Sequence, residues 1–140
     1  MSTVLWTNVL EKGKVKTDTS DKYALYKHTK KLEKLTKILN VTLFSSIHDF
    51  TDMKFNLSNE ELPEGMESTT DVMAVNGIWV SGEEAVLMLE TLIQYILENK
   101  IKFGVFKNDY NEVIRELEES LKQAMLAKDI SGEFNFSVVM

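Results

Sequence analysis

Gly77-Ile78-Trp79-Val80-Ser81-Gly82-Glu83-Glu84-Ala85-Val86 is the stretch on which the fold turns. The β-branched and aromatic residues at 78–80 predict a short strand. Ser81 and Glu84 follow at the spacing of a capping box. In that motif the hydroxyl accepts a backbone N–H and the carboxylate reaches back to the helix entry. A strand handing directly to a capped helix is therefore expected, with the helix running from Gly82 to about Glu98. Glu83, Glu90, Gln94 and Glu98 make a narrow polar stripe on it, and most of the remaining positions are apolar. A helix of that composition must be central or covered by a partner.

Downstream, Ile101 to Phe106 predicts another short strand, with Gly104 marking a bend. Asn108 or Asp109 caps a helix over about 109–128, whose buried stripe includes Val113, Leu117, Leu121 and Ala124. Phe134, Phe136 and Val138 alternate as in a half-buried strand. Upstream, Val4, Leu5, Trp6, Val9 and Leu10 predict the first strand, and Glu11-Lys12-Gly13-Lys14 a turn. Thr17-Asp18-Thr19-Ser20-Asp21 is a cluster of helix-capping types. A helix over 21–39 should follow, with Leu25, His28, Leu32, Leu35 and Leu39 on one face. Val41 to Phe44 fits a strand or a packed turn, Ser45 to Phe50 fits the opening of a short helix, and 56–71, around Pro63, should hold little regular structure. The expected fold is α+β, one domain spanning 1–140, with three main helices packed on a small mixed or antiparallel sheet and the last strand beside the first. The alternation after residue 76 leaves an α/β arrangement with parallel strands as the alternative for the C-terminal half.

The 140 residues include no cysteine, which removes disulfides, thiolate nucleophiles and cysteine metal sites. Met1 to Asn8 has no basic stretch leading into an apolar run, so no signal peptide is expected. The longest apolar run, Ala85 to Leu89, is far too short to span a bilayer. These features read as a soluble, cytoplasmic protein with no membrane partner. A net charge of −6 argues against nucleic acid as a partner. The charge is uneven: residues 11–37 hold nine lysines against four acids, whereas 49–71 hold seven acids against Lys54. The acidic part includes Glu60, Glu61, Glu64 and Glu67, flanked by Met66 and Met73.

Few residues can carry chemistry. His48 lies beside Asp49 and near Asp52, a grouping able to hold a metal or to act as a base with a carboxylate partner. With His28 and Asp109, the candidate metal ligands are His28, His48, Asp49 and Asp109. Their order is similar to the ligand order of HD-type metal-dependent phosphohydrolases. Those enzymes are all-helical with the dyad on an apolar helix. Here it follows Ser45-Ser46-Ile47, and the C-terminus alternates like a strand. No serine-nucleophile motif or glycine-rich phosphate loop occurs, and Glu83 and Glu84 occupy the helix end that Ser81-Gly82 opens. No cofactor is expected. The favoured function is a non-enzymatic binding or interaction protein that docks a basic protein partner on Glu60, Glu61, Glu64 and Glu67, in the manner of acidic inhibitors of basic nucleases. A metal-dependent hydrolase using His48 and Asp49 is the alternative. A homodimer through the apolar 82–98 helix or an uncovered strand edge is the third expectation.

Overall fold

β1 (Val4–Glu11) and β5 (Glu133–Val139) form the centre of the sheet, paired antiparallel from Val4↔Val139 to Leu10↔Glu133. The computed structural model describes residues 2–140; Met1, the start of the segment read for a signal peptide, lies outside them. β2 (Lys14–Lys22) returns along the outer edge of β1 after a tight turn in which Lys12 and Gly13 both take positive φ. On the far edge of β5, β3 (His48–Asp49) pairs in parallel at Phe136 and Ser137, and β4 (Val80–Ser81) pairs antiparallel at Phe134 and Glu133. Among the described residues six α-helices accompany the sheet: α1 (Tyr23–Lys27), α2 (Thr29–Leu39), α3 (Thr51–Ser58), α4 (Thr69–Asn76), α5 (Gly82–Asn99) and α6 (Tyr110–Asp129). The fold is α+β; α5 and α6 match the helices expected over 82–98 and about 109–128, while α1 and α2 divide the one expected over 21–39. β3–β5 is the one parallel pair in the described sheet, so the α/β alternative is not adopted.

Alternation gives β1 and β5 two faces of different chemistry. Leu5, Val9, Phe134, Phe136 and Val138 face the helices and are buried with Leu25, Leu32, Leu89, Leu92 and Leu117. The opposite face holds buried amides. Asn8 Nδ2 donates to Asn135 Oδ1 at 2.9 Å, Thr17 Oγ1 donates to Asn8 Oδ1 at 2.5 Å, and Asn135 Nδ2 donates to the Ile78 carbonyl at 2.9 Å. Each amide thus finds partners on neighbouring segments, which is the condition for burying it at little cost.

Several local expectations fail for identifiable reasons. The Thr17–Asp21 cluster lies in edge strand β2 rather than capping a helix, and polar and charged residues suit an unpaired edge. The predicted 21–39 helix is interrupted at His28 (φ −104°, ψ 23°). Its first part is capped from a distance: Glu116 on α6 accepts the backbone N–H groups of Ala24 (3.3 Å) and Leu25 (3.0 Å). Burial raises the Glu116 carboxyl above its ordinary range, against those two hydrogen bonds. Residues 101–106 form no strand. The Phe103 N–H donates to Asn108 Oδ1, the Phe103 carbonyl accepts from Asp109, and Gly104 turns the chain at φ +115°. Within the predicted irregular region, α3 ends at Ser58 and α4 begins at Thr69, leaving 59–68 as loop. The strand expected at 77–80 is reduced to Val80–Ser81.

The capping box forms by half. Ser81 Oγ accepts from Glu84 N at 3.1 Å, while the Glu84 carboxylate turns to Thr42. Gly82 is set against the end of α6, where an added Cβ would fall 2.2 Å from Lys128 N and 2.6 Å from Ala127 C. Backbone atoms cannot swing aside, so Gly82→Ala is expected to cost about 1–3 kcal/mol of stability. Urea unfolding measures this, and an unchanged unfolding free energy would rule out the close approach.

Candidate binding surface

The interruption at His28 restarts the chain as α2 with Thr29-Lys30-Lys31 in its first turn, without an acid or a side-chain cap. Asp109, buried at the start of α6, gathers the side chains of His28 and Lys27. His28 Nε2 stands 2.8 Å and Lys27 Nζ 3.0 Å from its Oδ2. These bonds, His28 first and then Lys27, hold the Asp109 carboxyl below the usual carboxylate range. The Lys27 ammonium is held above its ordinary value by the same contact. A cleft of about 660 Å³ opens between this helix start and the turn before β3, with Lys27, Lys30, Lys31 and Tyr26 on one wall and His48 and Phe50 on the other. Its lining includes no carboxylate.

His28 and His48 therefore share a cleft, and His28 and Asp109 are bonded directly. The remaining metal candidate stands apart from that pair in its chemistry. Asp49, 2% exposed, accepts the Thr51 N–H on Oδ1 and the Ile78 N–H on Oδ2, both at 2.9 Å. This carboxylate fastens the exit of β3 to the approach of β4. Asp52 accepts from Thr69 Oγ1 (2.9 Å) and Asn56 Nδ2 (3.0 Å), tying α3 to α4. Among the described residues, no three His, Asp or Glu side chains are grouped so that they could hold one metal ion. His48 is 3% exposed, lies edge-on to Phe44 and Phe136 at 4.9 and 5.8 Å, and its Nε2 has no hydrogen-bond partner. Burial pushes its pKa down to about 4, against the upward pull of Glu33. At neutral pH the ring is uncharged.

A second cleft, of about 540 Å³, lies on the other side of Phe50. α3 and α4 form its apolar walls with Phe55 and Val72, Ile78 adds another, and Glu60 and Glu61 from the 59–68 loop supply the acid. Glu60 Oε2 is 3.8 Å from Lys54 Nζ, an exposed and weak pairing. Of the four glutamates expected to act together, Glu60 and Glu61 line this groove, whereas Glu64 and Glu67 are exposed outside it.

The sequence reading missed three surface residues. Phe50 is 52% exposed and lines both clefts. Val105 and Phe106 stand almost entirely in solvent on the turn at Gly104. An apolar residue outside any helical or alternating pattern was the available signal for Phe50. For Phe106 it was the glycine two residues earlier.

No family model matches the chain, and no curated protein or solved structure matches it either.

The pKa of His48, about 4 when folded against an ordinary 6.5, makes stability depend on pH. Between those values the unfolded chain binds a proton that the folded chain refuses. The contribution is therefore full above pH 6.5 and is lost as pH falls toward 4, by roughly 3 kcal/mol. His48→Phe keeps a ring between Phe44 and Phe136 and removes the titration. It is expected to shrink the loss of stability between pH 6.5 and 4 by about 2–3 kcal/mol in denaturant titrations at the two pH values. An unaltered pH dependence would mean that His48 is not held neutral by burial.

Proposed function

We propose that the chain is a non-enzymatic interaction protein whose docking surface is the groove between α3, α4 and the 59–68 loop, and that it takes a basic protein segment with an apolar anchor. One observation carries the reading: Glu60 and Glu61 border a groove whose walls, Phe50, Phe55, Val72 and Ile78, are apolar, with Phe50 and Ile78 about half exposed. Apolar surface in a concave site supplies the burial that drives association. The acids at its margin select a cationic partner and speed encounter more than they add affinity. The hydrolase alternative keeps the cleft shared by His28 and His48. It does not keep Asp49 free, because both of that residue's oxygens already accept backbone N–H groups.

A fluorescent peptide of alternating Lys and Phe is a direct probe. It is expected to bind the full chain with an affinity that falls as salt rises. Glu60→Lys with Glu61→Lys should weaken it on the order of tenfold by fluorescence anisotropy, since exposed charge pairs contribute up to about 1 kcal/mol each. Equal binding by the doubly substituted chain would remove the groove as the docking surface.

A further inference from the structure

Phe50 is the wall shared by two clefts of opposite charge. On one side stand Lys27, Lys30 and Lys31, with no carboxylate in the lining. On the other stand Glu60 and Glu61. Among the described residues, Lys30 and Glu61 form no ion pair within the chain. Lys31 forms none either but donates to the Lys102 carbonyl and lies over the Phe103 ring, while Lys27 is paired with Asp109 and Glu60 with Lys54. A surface that is basic on one side of an exposed apolar residue and acidic on the other is complementary to itself. A two-fold rotation about an axis through that residue lays the basic half of one copy on the acidic half of the next, and repeats the match on the other side.

We infer that this face is the interface of a symmetric dimer, and that the occupant of the acidic groove is the basic cleft of a second copy of this chain. The inference rests on the groove reading above and names its partner. Phe50 from each copy meets at the axis, the apolar centre of the interface, and the lysines and glutamates form its charged rim, which is the usual anatomy of a specific contact. Phe50 is half exposed although it directly follows two almost fully buried residues, so its burial is left to another molecule. Such an isologous contact closes on two copies and leaves no free half to propagate. The apolar face of α5, the other dimer surface expected from the sequence, is already buried in the core through Ala85, Met88, Leu89, Leu92 and Ile96, which leaves the outer edge of β2 and the Val105–Phe106 turn as competitors. Neither is self-complementary in charge across an apolar centre. β2 carries lysines and aspartates along its free edge, a common device against edge pairing.

Sedimentation equilibrium of the full chain tests the inference through a charge swap. The chain is expected to be a dimer whose dissociation constant rises with salt. Lys30→Glu with Lys31→Glu makes both halves acidic, and Glu60→Lys with Glu61→Lys makes both halves basic. Each variant alone should dissociate on the order of 100-fold more readily, because like charges then face each other across the interface. An equimolar mixture of the two should restore the dimer, since every acidic half again meets a basic one. Circular dichroism of each variant, and the restored dimer itself, exclude unfolding as the cause. A chain that stays monomeric up to about 1 mM overturns the inference, as does a dimer indifferent to both reversals or a mixture of folded variants that does not associate. The groove reading is judged separately: a monomeric chain that still binds the Lys-Phe peptide through Glu60 and Glu61 keeps that reading and loses the dimer. A salt-sensitive dimer that the peptide dissociates supports both.

Discussion

The antiparallel pairing of β1 with β5 is the constraint on which the molecule depends, because it joins the first and last strands of the chain. Together with the packing of α6 on β1 and the bonds from Glu116 to Ala24 and Leu25, the ladder offsets the closure entropy of the intervening chain. It does so by burying Leu5 and Val9 against Phe134, Phe136 and Val138 in one continuous core. Every other strand uses this pair as its template: β2 on the free edge of β1, β3 and β4 on the free edge of β5. The two shortest strands have two residues each and could not persist alone. They exist because β5 offers them an edge and because Asp49 in β3 holds the approach to β4 through the Ile78 N–H.

The reverse face of the same pair shows how polarity specifies register. Asn8 and Asn135 are opposite each other in the ladder, and their amides bond directly. A one-residue slip of either strand would send its asparagine into the apolar core and leave the other without its partner, so the pair penalises slipped registers more than it stabilises the correct one. Thr17 and the Ile78 carbonyl complete the arrangement from β2 and from the segment before β4. The network is thereby extended across the sheet and holds the segments that will carry the acidic groove.

The fold was legible where periodicity was long. α5, α6 and the alternation at Phe134, Phe136 and Val138 follow from patterns that recur over many residues. The misreadings are local and share a cause: long-range partners overrode short-range preference. Thr17–Asp21 has capping composition, yet β1 offered an edge and Glu116, more than ninety residues away in sequence from Ala24, supplied the cap instead. Ile101 to Phe106 has strand composition, yet the buried Phe103 and the Asn108 side chain hold it as a turn. The charge of the proposed docking surface was legible and its shape was not. Segregation of lysines and acids along the chain marked two surfaces, and Glu60 and Glu61 do border a groove. That these surfaces adjoin at Phe50 depends on the placement of β3, which no local pattern announces.

β3 gives that placement its precision. His48, Asp49 and Phe50 are consecutive, and their environments diverge sharply: an uncharged ring among aromatics, a carboxylate accepting two backbone N–H groups, and an apolar side chain in solvent. The first two explain the third. With His48 packed on Phe44 and Phe136, and Asp49 fixed by Thr51 and Ile78, the backbone at residue 50 has little freedom left. α3 begins immediately afterwards and fixes the chain on the other side. Phe50 is thus exposed by construction rather than by want of a place in the core. A backbone fixed on both sides carries its side chain at a set place on the surface, unlike one on a mobile loop. The core around β3 thereby holds in place the wall that the two clefts share.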